Sequence, residues 1–374
     1  MKRAIIEQLL RVLTLRDDGV ENTDRVAWNA DEVRGLQPLL LFEGAELWLY
    51  RRVQQKRVDV PDAFKATLRS AAHGISLLNM RIDAQTIAVT NLLNAATLPW
   101  ALMKGQARRA AISRYPYADA RPVSDVDLLI PEQHAKAAWQ LLTQNGFRRV
   151  VEGPVDWSAD HHLPALIDAS NVSVELHSTT SISVPANEAW RRCTEHGDEL
   201  DWSGIRTHVP NATELVWQAL SHGSSDGPEG HTLKAFLSVA AVLAPNPIIN
   251  WSIIYHRLMN KETLDSVTLK PVPLEHVKNF LHIAASLAGV SVPENLAPKS
   301  PASIVPLLMW RARVLASTRS RALNDRLLEE SVRVEVLQPI TPFVRRVGLV
   351  RNVRRRAASI VARAAYVAWR AAIA

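Results

Sequence analysis

Two aspartates separated by one residue, in the run Val123-Ser124-Asp125-Val126-Asp127-Leu128-Leu129-Ile130, are the side chains best placed to do chemistry. The run is otherwise apolar apart from Ser124 and stops at Pro131, which predicts a strand. A period of two then puts Asp125, Asp127 and Leu129 on one face and Val126, Leu128 and Ile130 on the other. The carboxylates stand ~6.5 to 7 Å apart along such a strand. Like charges that close, partly desolvated, require a cationic partner. Mg²⁺ is the natural candidate, because it takes oxygen ligands and binds through one or two carboxylates plus substrate phosphates.

A second alternating run, Val172-Ser173-Val174-Glu175-Leu176-His177, turns Ser173, Glu175 and His177 to one face and Val174 and Leu176 to the core. Laid beside the first strand, it brings Glu175 to the two aspartates. Three carboxylates on adjacent strands hold one or two metal ions, which activate an attacking hydroxyl and neutralise a leaving pyrophosphate during in-line displacement. The alternative for Glu175 is a pair with an arginine such as Arg121, and His177 reads as a residue that orients Glu175 or caps the strand. Gly105, between a short apolar run and a helix, lets the backbone approach a phosphate, and Lys104 and Arg108 add positive charge nearby. The adjacent His161 and His162 lack the spacing of a helical metal site and read as a loop pair at the mouth of the cleft.

The elements that must position these groups form an α+β chain, with a small mixed sheet flanked by N- and C-terminal helical regions. Residues 1–97 read as a helical domain without strand signal, with helices over 36–53 and 61–96. Residues 98–208 read as the sheet-bearing core. A short run through Met103 leads to a helix over 106–114, the aspartate strand follows, and a helix from His134 to Gln144 closes at Asn145-Gly146. Strands over 147–151 and 172–177 complete this unit. Residues 209–335 are helical again, at 213–222, 232–243, 251–259 and 274–287. A linker over 293–306 and two further helices lead into a tail at 336–374.

That tail carries the charge. The formal net charge is +7, yet the residues from Val336 onward contain eight arginines and no acid, so the body before them is close to neutral. The high pI is therefore no sign of a nucleic-acid surface on the main fold. Arg356, Arg363 and Arg370 recur every seven residues opposite Val361, Ala365 and Trp369, which predicts an amphipathic helix and an anionic surface as a partner of the tail. With 47% hydrophobic and 22% charged residues the chain is globular, which excludes wholesale disorder. No apolar run approaches the length of a transmembrane segment, Glu7 and Arg11 interrupt any signal peptide, and Cys193 stands alone, so a cytoplasmic location is expected.

Met103-Lys104-Gly105, Tyr115-Pro116, Arg121 with Ser124-Asp125-Val126-Asp127-Leu128-Leu129, and Val174-Glu175-Leu176-His177 follow in an order that resembles a bacterial family of uncharacterised nucleotidyltransferases. That family belongs to the DNA polymerase beta-like superfamily. The resemblance extends over most of the chain. It implies the nucleotidyltransferase fold and Mg²⁺-dependent transfer of a nucleoside monophosphate from an NTP to an acceptor that is a small molecule, peptide, protein or RNA. Asp125, Asp127 and Glu175 would be the metal and catalytic carboxylates, with Lys104, Gly105, Arg108 and Arg121 toward the nucleotide. The wider superfamily carries Gly-Gly or Gly-Ser where Gly105 is followed by Gln106. The second reading is accordingly a catalytically silent fold that serves as a binding or regulatory module.

Overall fold

A computed structural model describes residues 2–14, 25–120, 123–150, 163–181, 183–225, 233–263 and 271–317. Arg121, the histidine pair at 161–162 and the basic tail lie outside the described residues. The chain opens with α1 (Arg3–Leu13), β1 (Val26–Ala27), α2 (Ala30–Glu43), α3 (Glu46–Gln54), β2 (Val58–Asp59) and α4 (Asp62–Ala95). Two expectations change here. The single helix expected over 36–53 is split, because Gly44 takes a left-handed backbone, φ +62°, and caps α2. The segment expected to lack strands contains β1 and β2, which pair in parallel over two residues each, too short to carry a period. The start of α2 follows local chemistry: the Asn29 side chain accepts from the Asp31 and Glu32 N–H groups while Glu32 reaches back to the Asn29 N–H.

The central unit runs through β3 (Ala101–Leu102), α5 (Lys104–Ala110), β4 (Asp125–Leu129), α6 (Glu132–Gln144), β5 (Arg148–Arg149), β6 (Leu166–Ile167), β7 (Ser173–His177), α7 (Ala186–Thr194), β8 (Asp198–Trp202) and β9 (Ile205–Val209). Five strands form one sheet in the order β3-β4-β7-β6-β5. The β4–β7 pair is parallel and the others are antiparallel, so the sheet is mixed and the chain is α+β, as expected. The helix expected over 106–114 begins earlier and stops at Ala110. The chain then turns toward Tyr115, whose successor Pro116 disfavours helical backbone before it. β8 and β9 form a separate hairpin that pattern reading passed over. Its turn residues, Ser203 and Gly204, both have positive φ, the two-residue turn that matches strand twist.

The chain continues with α8 (Ala212–Ser224), α9 (Leu233–Leu243), α10 (Trp251–Met259), α11 (Leu274–Ala288) and α12 (Val305–Ser317). α8 packs on α9 and α11, and α12 lies against α1 and α2. One hydrophobic cluster extends from Ile5 to Ala312, so the helices before and after the sheet share a core. A buried ion pair ties them: Arg311 of α12 donates to Glu43 of α2 at 2.7 Å, and the Leu233 N–H at the head of α9 donates to the other carboxylate oxygen at 2.6 Å. Burial raises the Glu43 pKa, and the Arg311 charge opposes it. No helix among the described residues is long and apolar enough to cross a membrane.

Candidate metal centre

Parallel pairing sets Asp125 opposite Ser173, Asp127 opposite Glu175 and Leu129 opposite His177. In a parallel pair, residues in register point to the same face, so Val126, Leu128, Val174 and Leu176 fill the core together while the polar set lies on the opposite face. The geometry anticipated for the acidic strands is therefore present. Asp125 and Glu175 are partly exposed, whereas Asp127 and His177 form the buried floor.

The floor is closed by a residue that sequence reasoning assigned elsewhere. The Lys104 ammonium donates to Asp127 Oδ1 at 2.7 Å, and His177 Nε2 lies 2.7 Å from the same oxygen. Lys104 Nζ and His177 Nε2 are 3.4 Å apart, as two donors converging on one acceptor. His177 Nε2 is also 3.6 Å from Glu175 Oε2, so this histidine links both carboxylates instead of serving Glu175 alone. The chain itself thus supplies the cation that like-charge crowding requires. Burial alone would raise the Asp127 pKa, yet the Lys104 charge and the bonds from His177 and Lys104 hold it well below the ordinary carboxylate range. Burial would lower the Lys104 pKa, but Asp127, then Glu175 and Asp125, raise it. His177 is raised too: burial and Lys104 oppose its charge, and the bonds to Asp127 and Glu175 outweigh them.

Lys104 is delivered by an unusual backbone. It takes a left-handed conformation, φ +47°, at the β3–α5 junction, and its N–H donates to Gln218 Oε1 of α8 at 3.0 Å. The residue bent at this turn is Lys104 and not Gly105. The missing side chain of Gly105 instead admits Val123, whose Cγ2 would stand 3.2 Å from a Cβ built there. Gln218 spans two elements, since its Nε2 also donates to the buried Cys193 thiol of α7 at 3.4 Å. Burial pushes that thiol well above its usual pKa. Arg108 is buried on α5, 3% exposed.

Asn79, inside α4, pins the approach to β4. Its Nδ2 donates to the Asp119 carbonyl at 3.2 Å and its Oδ1 accepts from the Val123 N–H at 3.1 Å. Neither Asn79 nor Gln218 had been singled out from sequence. Both are polar residues set into apolar helix faces, Asn79 between Ile75 and Ile82 and Gln218 between Trp217 and Ala219, which was the available signal.

Among the described residues, Asp127, Glu175 and His177 form the group suited to a metal ion, with one ligand atom from each lying within 4.8 Å of the others. Asp125 is on the same face one strand step toward solvent. Two oxygen donors and an imidazole nitrogen are an appropriate donor set for a divalent cation, and the buried negative charge of Asp127 favours one.

A family model described as "Uncharacterised nucleotidyltransferase" matches residues 34–269, more than half of the chain and all of the site, and the chain belongs to that family. No curated protein matches it.

Proposed function

We propose that the protein transfers a nucleoside monophosphate from an NTP to an acceptor. The observation that carries this reading is the parallel register of Asp127 with Glu175, which aligns carboxylates from two strands on one cleft face beside Asp125. Asp125, Asp127 and Glu175 would hold Mg²⁺ with its NTP. The ion, when bound, neutralises phosphate charge and supports in-line displacement at the α-phosphorus. In that displacement the acceptor's nucleophile forms a bond to phosphorus and the bond to pyrophosphate breaks. Glu175, partly exposed, would take the acceptor's proton, and Lys104, Gly105 and Arg108, with Arg121, are the groups proposed to face the nucleotide.

A second reading has its own observation. Lys104 and His177 already satisfy Asp127, so the fold is stable as a catalytically silent binding or regulatory module. Calorimetric titration of ATP, GTP, CTP and UTP into the full chain, with and without Mg²⁺, separates the two. Mg²⁺-dependent binding of at least one NTP, abolished in Asp125→Asn and in Asp127→Asn, supports transfer. Binding of none by the wild type, or equal binding by all three proteins, replaces it with the silent module.

A further inference from the structure

We infer that Lys104 is a docked internal cation which a nitrogen-accepting divalent ion, held by Asp127, Glu175 and His177, displaces from the floor of the cleft. The inference rests on the proposed reading of this cleft as a cation site and adds to it the kind of ion and a switch.

Three observations carry it. First, Asp127 Oδ1 accepts from both Lys104 Nζ and His177 Nε2, each at 2.7 Å, so two donors already fill the oxygen that a cation would use. A dication there and the ammonium would be like charges within a few ångströms in a largely buried pocket, where screening is weak. The ammonium and the ion therefore compete for this carboxylate. Second, the deepest ligand atom is His177 Nε2, 3.6 Å from Glu175 Oε2 and fully buried, which becomes a ligand on giving up the proton it shares with Asp127. Mg²⁺ prefers oxygen, whereas first-row transition dications accept imidazole readily, so this floor position discriminates in their favour. Third, Lys104 is mounted for movement. Its main chain is anchored by the Gln218 bond in a left-handed conformation, but its four-carbon side chain is 24% exposed and held at the tip chiefly by Asp127. When the tip is released, the ammonium moves into the cleft, where an anionic ligand would meet it.

The test uses the full chain with Co²⁺ alone, whose visible absorption reports nitrogen coordination, and Mg²⁺ as comparator, with no nucleotide present. His177→Asn is expected to weaken Co²⁺ binding by about tenfold or more and to leave Mg²⁺ binding nearly unchanged. Lys104→Met is expected to bind Co²⁺ about tenfold more tightly than the wild type, because the competitor is gone. The wild type gives a readout independent of any folding defect in these variants: acetylation of Lys104, mapped by mass spectrometry, should rise on addition of Co²⁺. Equal Co²⁺ affinity in Lys104→Met, an equal loss of both ions in His177→Asn, or unchanged Lys104 acetylation overturns the inference. The outcome is separable from that of nucleotidyl transfer. Mg²⁺-dependent NTP binding with no Lys104 response sinks only the switch, and a Lys104 response with no NTP binding sinks only the transfer.

Discussion

Lys104 and Asp127, 23 positions apart in the chain, form an ion pair at 2.7 Å whose carboxylate is almost fully buried. A lysine in this place reverses one consequence of reading the acidic strand by itself. Two aspartates on one face repel, and neutralising one of them would then relieve the fold. Because Lys104 and His177 both lean on Asp127, its charge is a structural requirement.

Asp127→Asn should therefore destabilise the protein, by about 2–4 kcal/mol, since it strands a partly buried ammonium beside an imidazole. Lys104→Met in the same background should restore much of the loss, which urea denaturation of the single and double variants would measure as a coupling energy. Additive losses would mean that the two side chains do not depend on each other.

Gly105→Ala is expected to cost about 1 kcal/mol, because the new methyl presses on Val123 just upstream of the aspartate strand. Val123→Ala should relieve most of that cost when combined with it, as read from thermal unfolding midpoints. No relief would place the strain in the backbone at Lys104 instead.

Arg311→Leu should lower stability by about 3–5 kcal/mol, since Glu43 would stay buried without its counter-ion. Arg311 also lies over the Phe42 ring, 5.5 Å from its centroid, so a little packing is lost as well. Glu43→Gln combined with Arg311→Leu keeps an acceptor for the Leu233 N–H and should recover a large part of the loss in chemical denaturation.

Glu46, at the head of α3, makes a pH prediction. Burial raises its pKa to about 7, against the opposing effects of its own backbone N–H and of Lys234. The folded state then holds a proton that the unfolded state has released between pH 4.5 and about 7. This group's contribution is greatest below pH 4.5, declines as pH rises toward 7 and stays low above it. Glu46→Gln should stabilise the protein at pH 8 by about 1–3 kcal/mol, a range discounted for partial exposure, and should flatten that slope. A pH profile of stability unchanged by the substitution would show that Glu46 titrates alike in the folded and unfolded states.

What could be read from sequence was what local periodicity controls. Alternation placed Asp125 and Asp127 together, and Ser173 with Glu175 and His177, and the bounds of α10 were visible in its own residues because Asn250 caps it and apolar spacing continues to Met259. What escaped was decided by distant contacts. The ion pair of Lys104 with Asp127 left no local signal, because the two lie 23 positions apart on different elements. Gln218 acts on a backbone N–H 114 positions away, and the burial of Glu43 depends on Arg311, 268 positions on, so neither leaves a local signal. Very short strands such as β1, β2 and β6 also lack enough residues to show a period, so only their neighbours define them.

The β4–β7 register has a consequence for error control. A slip of β7 by one residue would rotate Glu175 and His177 into the core and push Val174 and Leu176 out toward the cleft. That misalignment would bury a charge and expose two aliphatic chains at once, so the folding free energy itself rejects it. The greasy side of these strands proofreads the acidic side. Mutations that only soften the packing of Val174 or Leu176 would then damage the chemistry of a cleft they never touch.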